Sequence, residues 1–264
     1  MALKDIKCFV LDMDGTIYLG NQLFDYTKEF LATAQQCGID IWYYTNNSSK
    51  NAKFYINKLK KMGIVCEERK MLISNQVIIK HLLEHHQESR VYVAGTQFLI
   101  DDFKEAGINV ADTDCDVVVM GFDMTLTYEK LVKACDFVRY GATLYGVNMD
   151  YNCPTETGFI PDCGSICQLV YASTGVSAEF FGKPSKHTAD FIFEKTGYDK
   201  KSLAIIGDRV YTDIALGAYN GFTSILVLSG ESSLEDVKNS DTKPDLIYAS
   251  LKEISADLKK IYKL

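Results

Sequence analysis

Short apolar runs alternate along the chain with longer stretches in which apolar residues recur every three to four positions, and this rhythm predicts strands and helices in turn. Residues 7–11 read as a strand buried on both faces, because Phe9, Val10 and Leu11 follow one another without a polar interruption. A loop is expected at 18–22. A helix is expected over 26–37, with Phe30, Leu31 and Ala34 on one face and Gly38 as its stop. Residues 39–44 predict a second buried strand. An amphipathic helix should follow over 50–62, its inner face formed by Phe54, Ile56, Leu59 and Met62.

The pattern continues with a helix at 74–86, strands at 91–94, 116–121 and 143–146, and helices at 97–106, 128–139 and 163–173. Two polar stretches, 148–154 and 157–165, read as loops, either plain connections or carriers of binding residues. A turn at 181–185 leads to a helix at 187–196, a strand at 203–207, a strand at 223–228 and a closing helix at 251–262. Repeated strand–helix units predict an α/β fold with a Rossmann-like parallel-sheet core. Residues 79–176 form a second such series and are read as an inserted α/β cap domain, leaving 1–78 and 177–264 as the core.

Composition narrows this picture. At 264 residues the chain exceeds the usual single domain, and a hydrophobic fraction of 47% is enough for a substantial core. A net charge of −7 argues against a nucleic-acid-binding face, so any anionic ligand must be held by a local site. Charged residues interrupt the first seven positions, and no apolar run approaches the roughly 18 residues a membrane span needs. A cytoplasmic protein without a membrane partner is the expectation. The eight cysteines lack paired spacing and are expected as reduced thiols, and Cys153, Cys163 and Cys167 do not make a zinc pattern. His81 and His85 are spaced i, i+4 but without a companion acid, which favours a solvated helix face over a metal site.

The candidate chemistry lies where strands end. Asp12-Met13-Asp14-Gly15 closes the first strand, and by itself fits either a catalytic strand end or a turn whose Asp and Gly merely supply backbone geometry. Thr45-Asn46-Asn47-Ser48-Ser49 closes the second, where hydroxyls can cap the next helix or hold phosphate. Lys183 sits between Gly182 and Pro184, which restrict its backbone. Asp208 ends the 203–207 strand, with Asp213 five residues on. Asp12, Asp14 and Asp208 should share one sheet edge, and three carboxylates there repel unless a cation lies among them. Oxygen ligands beside a phosphate suit Mg²⁺. Thr45 and Lys183 would add a hydroxyl and a positive charge, a set suited to phosphoryl transfer.

With these residues in order, the chain resembles the haloacid dehalogenase-like phosphohydrolases. Asp12-Met13-Asp14-Gly15-Thr16 looks like the first motif of that family, Thr45 the second, Lys183 the third, and Gly207-Asp208 through Asp213 the fourth. About 30 residues separate the first two motifs and about 135 separate the second from Lys183, so the cap falls between the second and third, as in the NagD-like or nitrophenylphosphatase-like branch. The resemblance implies that Asp12 is the nucleophile forming an aspartyl-phosphate and that Asp14 is the acid and base. It also implies that Thr45, Asn46 and Lys183 hold the phosphoryl oxygens. Mg²⁺ would be bound by Asp12, the Asp14 carbonyl and Asp208, with Asp213 in its inner or outer shell. The implied substrate is a small-molecule phosphate ester, chosen by cap residues such as those in 157–165, and the implied assembly is a cap-mediated homodimer. A phosphotransferase using the same intermediate, and a phosphate-binding protein with an idle site, are the alternatives.

Overall fold

The computed structural model describes residues 3–155 and 157–264; Met1 and Ala2, the start of the stretch read against a signal peptide, lie outside them. The chain begins with β1 (Cys8–Leu11), β2 (Tyr18–Leu19), β3 (Gln22–Leu23), α1 (Thr27–Gln36), β4 (Asp40–Thr45), α2 (Ala52–Lys61) and β5 (Met71–Ile73). There follow α3 (Ser74–His85), β6 (Val91–Ala94), α4 (Gln97–Glu105), β7 (Val117–Met120), α5 (Tyr128–Arg139), β8 (Thr143–Gly146), β9 (Asn152–Thr155), β10 (Gly158–Pro161), α6 (Cys163–Thr174) and β11 (Glu179–Phe180). The remainder is α7 (Lys186–Thr196), β12 (Leu203–Gly207), α8 (Ala215–Asn220), β13 (Thr223–Val227), α9 (Leu234–Asn239), β14 (Leu246–Tyr248) and α10 (Leu251–Tyr262).

Two compact units result. The first takes the described residues up to Thr45, with Ile56–Leu72 and Lys183–Leu264, and the second takes Asn46–Tyr55 and Ile73–Gly182.

The larger sheet has six strands in the order β14-β13-β12-β1-β4-β5. β1 runs parallel to both β12 and β4, and β13 parallel to β12 and β14. All residues of β1, β12 and β13 are buried, which is why these strands read as continuous apolar runs rather than alternating ones. On one face α1 packs against α10. Phe30 of α1 is fully buried with its ring 5.9 Å from that of Phe9 in β1, worth about 1.5–3 kcal/mol of transfer free energy, and the two helices are tied by Ser255 Oγ to Thr33 Oγ1 at 2.9 Å and Lys259 Nζ to Glu29 at 2.6 Å.

The second unit has its own four-stranded parallel sheet, β11-β8-β7-β6. Its core gathers Val118, Met120 and Leu144 from the strands with Ala134 and Val138 of α5 and Ile166 and Val170 of α6. The α/β architecture expected from the alternation is present in both units.

Several local expectations change. The stretches 148–154 and 157–165, read as loops, contain the antiparallel hairpin β9–β10. The loop expected at 18–22 contains a two-residue ladder, Tyr18 with Leu23 and Leu19 with Gln22. β5 and β14 are three residues each, too short to show a period. In α2 the inward aromatic is Tyr55; Phe54 is 38% exposed, lying near the Phe98 ring and the Lys50 ammonium. The N-terminus of α2 is capped by Asn51 Oδ1, which accepts the Phe54 N–H, so Ser48 and Ser49 are released from that duty. Among the described residues no helix is long and apolar enough to cross a membrane, and no disulfide joins the cysteines.

Candidate active site

The parallel registers bring the strand-end residues to one edge of the six-stranded sheet. Leu11 lies level with Ile206 of β12 and with Tyr43 of β4, and the Asp12 N–H continues the ladder to the Ile206 carbonyl at 2.8 Å. Asp12 therefore stands beside Gly207 and Asp208 on one flank and the end of β4, Thr45, on the other. Thr45 is buried.

Lys183 is buried with its ammonium between two carboxylates, 2.5 Å from Asp12 Oδ1 and 2.6 Å from Asp213 Oδ1. Asp213 is turned back toward the strand end by one turn of π-helix, Val210–Ile214, a feature often found at functional sites. Its other oxygen accepts the Arg209 N–H at 3.1 Å. Two glycines make room for this crowding. A Cβ on Gly207 would collide with the Asp213 carboxylate, and one on Gly15 with that of Asp208; Gly15 also has φ +89°, which a side chain would resist.

Burial and mutual repulsion set the electrostatics of these groups. Burial pushes the Asp12 carboxyl well above its ordinary range, and Asp213 and Asp208 add to this against the opposing pull of Lys183. Asp208 is pushed up to about 7, by burial first and by Asp213 next. Burial alone would lower the Lys183 ammonium, but Asp12 and Asp213 outweigh it and hold the group above its usual value. Asp14 is half-buried; burial raises its carboxyl, with Lys58 and Arg209 pulling the other way.

Asp12, Asp208 and Asp213 each offer an oxygen within 4.8 Å of the others'. Asp208 Oδ2 accepts the Glu231 N–H at 2.7 Å, while Asp208 Oδ1 is buried without a hydrogen-bond partner. A cluster of buried carboxylates, one of which has an oxygen without a hydrogen-bond partner, fits a hard divalent cation such as Mg²⁺. Among the described residues this is the one such cluster. Cys153, Cys163 and Cys167 form none, and of the paired histidines His85 is exposed whereas His81 is half-buried between the rings of Tyr145 and Phe181. The Asp14 side chain is not one of the three clustered carboxylates; its backbone bridges to Tyr18.

Comparison with known proteins agrees with this geometry. The haloacid dehalogenase-like hydrolase profile matches residues 9–109 and a HAD-hydrolase-like profile matches 180–254. An acid sugar phosphatase of Staphylococcus aureus is 37% identical over 259 residues, covering 98% of this chain and 100% of that protein. The chain belongs to the haloacid dehalogenase-like hydrolases. The crystal structure of a 4-nitrophenylphosphatase from Thermotoga maritima superimposes with a TM-score of 0.92 at 40% identity, covering 96% of this chain and 98% of that one. NagD from E. coli K-12 gives 0.85 at 29% identity, covering 94% and 98%. These neighbours place this HAD-like hydrolase in the NagD-like branch.

In this hydrolase, sequence reasoning passed over one loop of the site. Residues 229–232 follow β13 and press on the first and fourth motifs: Ser229 Oγ donates to the Gly15 carbonyl at 2.8 Å, and a Cβ on Gly230 would strike the Asp208 carboxylate. The available signal was positional, a Ser-Gly turn at the carboxyl end of a buried strand.

Within the second unit, Asn46 enters a buried polar network. Asn46 Nδ2 donates to Asp150 Oδ2 at 2.7 Å, and Asn148 Nδ2 donates to Asp150 Oδ2 and Asp162 Oδ1 at 3.0 Å each. Ser48 Oγ donates to Asn148 Oδ1 at 2.9 Å and accepts the Phe122 N–H at 2.8 Å. Asp162 also caps α6 by accepting the Cys163 N–H at 2.5 Å. Its carboxylate is thereby committed to the fold, whereas Phe159 in the same stretch is 65% exposed.

Proposed function

We propose that this HAD-like hydrolase is a Mg²⁺-dependent phosphatase that releases inorganic phosphate from small-molecule monoesters through an aspartyl-phosphate on Asp12. The observation that carries this reading is the buried Lys183–Asp12–Asp213 cluster beside the orphaned Asp208 Oδ1. The acid sugar phosphatase and nitrophenylphosphatase relatives favour phosphate esters, sugar phosphates among them.

The residues divide the work as follows. Asp12 attacks phosphorus in line with the leaving oxygen, and the covalent intermediate splits one hard displacement into two. Asp14, half-buried with a raised carboxyl, protonates the leaving oxygen and then takes a proton from the attacking water. Lys183 holds Asp12 in place and, with Thr45, receives the phosphoryl oxygens, the Asn46 amide being committed instead to Asp150. Mg²⁺ would be held by Asp12, the Asp14 carbonyl and Asp208, with Asp213 in its inner or outer shell, and would supply the charge that keeps Asp12 ionised and offsets that of the phosphoryl group. Residues 1–78 and 177–264 carry the chemistry, and the insert 79–176 selects the leaving group, with exposed Phe159 as its contact and Asp162 reserved for structure.

Phosphate release from nitrophenyl phosphate with and without Mg²⁺ tests the reading. Turnover that needs the cation and disappears in Asp12→Asn supports it; undiminished hydrolysis by Asp12→Asn overturns the nucleophile assignment.

A further inference from the structure

The loop after β13 does more than pack against the site. The Glu231 carboxylate engages two side chains of the fourth-motif segment, forming an ion pair with Arg209, whose Nε lies 2.9 Å away, and accepting a hydrogen bond from the Tyr211 hydroxyl at 3.1 Å. Its own backbone N–H donates to Asp208 Oδ2 at 2.7 Å. The neighbouring Ser232 repeats the tie, its N–H donating to the Asp208 carbonyl at 3.1 Å and its Oγ accepting the Val210 N–H at 3.1 Å. Ser229 anchors the other end of the loop to the Gly15 carbonyl. The result is asymmetric: Asp208 Oδ2 is engaged by the loop and Oδ1 is left bare and buried.

A backbone N–H can aim a carboxylate only if its own residue is held. Ser229 and Ser232 anchor the ends of the loop, and the side chain of Glu231 holds the residue between them. We propose that Glu231 is a positioning residue for the cation: its clamp on Arg209 and Tyr211 fixes the amide that engages Asp208 Oδ2 and so presents Oδ1 to the metal. The inference rests on the reading of Asp208 as a metal ligand. Partners that orient a ligating side chain commonly matter 10–100-fold in metal affinity.

Glu231 borders a cavity of about 370 Å³ shared with Tyr211, Ser232 and Asp236, so truncating it admits water rather than opening a sealed void. The test is Mn²⁺ binding to the full chain, read from the electron paramagnetic resonance of free Mn²⁺, with unfolding midpoints measured in chelator. Glu231→Ala should weaken Mn²⁺ about 10–100-fold while the metal-free midpoint barely moves, and Glu231→Gln, which keeps an acceptor for the Tyr211 hydroxyl but loses the charge facing Arg209, should recover part of the loss. Tyr211→Phe, which removes one arm of the clamp, should cost about threefold. Asp208→Asn separates the two layers: if it binds Mn²⁺ as tightly as the wild type, the ligand assignment fails. If Asp208→Asn loses binding but Glu231→Ala and Tyr211→Phe retain it, the clamp is overturned. A Glu231→Ala loss that comes with a collapsed metal-free midpoint and no Gln rescue overturns it as well.

Discussion

Two buried polar clusters in this protein are built from similar side chains and satisfied very differently. In the first unit, Asp12, Asp208, Asp213 and Lys183 crowd three carboxylates around one ammonium, and one carboxylate oxygen has no partner. In the second, Asn46, Ser48, Asn148, Asp150 and Asp162 interlock through amides and hydroxyls, and none of their side-chain atoms is orphaned among the described residues. A fully satisfied network specifies one arrangement of backbone, whereas an incompletely satisfied one stores electrostatic cost that a ligand can relieve. The difference teaches which cluster has the chemistry to take up a ligand and which serves the fold.

The sharpest way to break the comparison is at Asp12. Replacing it with Asn changes little in shape, and phosphate release should fall by about 10⁴-fold or more if the carboxylate is the nucleophile. The next largest effect concerns stability. Lys183→Met strands Asp12 and Asp213 in a buried place, which should cost about 3–5 kcal/mol by denaturant unfolding in chelator. Added Mg²⁺ should return part of that loss; if it returns none, the first cluster is not poised for a cation.

A smaller and purely structural effect is expected in the second cluster. Asn148→Ala leaves Ser48, Asp150 and Asp162 each short of a partner, and about 2–3 kcal/mol should be lost whether or not Mg²⁺ is present. A metal-dependent loss here would erase the distinction between the two clusters. The smallest effect lies outside both. Asp40 accepts from Lys70 Nζ at 2.7 Å and Trp42 Nε1 at 2.8 Å; burial alone would raise its carboxyl, but these partners hold it below its ordinary value. Its contribution is therefore present above the ordinary carboxylate range near pH 4 and fades as pH falls through the depressed value. Lys70→Met should cost about 1 kcal/mol at pH 7, and the gap from the wild type should shrink in thermal melts as the pH is lowered below about 4.

Much of the first cluster was legible in the sequence because its members end buried strands. Asp12 and Asp208 follow apolar runs in chain order, Thr45 does the same, and Lys183 stands between residues that constrain its backbone. Asp162 shows the opposite case. It looked like a binding-loop acid, but its carboxylate caps α6 and braces Asn148, duties that depend on where the hairpin β9–β10 lies. Phe54 and Tyr55 differ by one position in a helix, and a small error in phase exchanged which of them faces inward.

What the sequence determined by itself was periodic or local: the alternation of strands and helices, the parallel sheet that follows from it, and the strand ends at which chemistry can sit. Only the tertiary structure decided the rest. The contact of Lys183 with Asp12 spans 171 positions and the tie from Ser229 to Gly15 spans 214, and no local pattern encodes a pairing across such a distance. The physical reason is that burial and hydrogen-bond geometry, which leave Asp208 Oδ1 bare and Asn148 fully engaged, exist only once β1, β12 and β13 lie side by side and the insert has closed its own core.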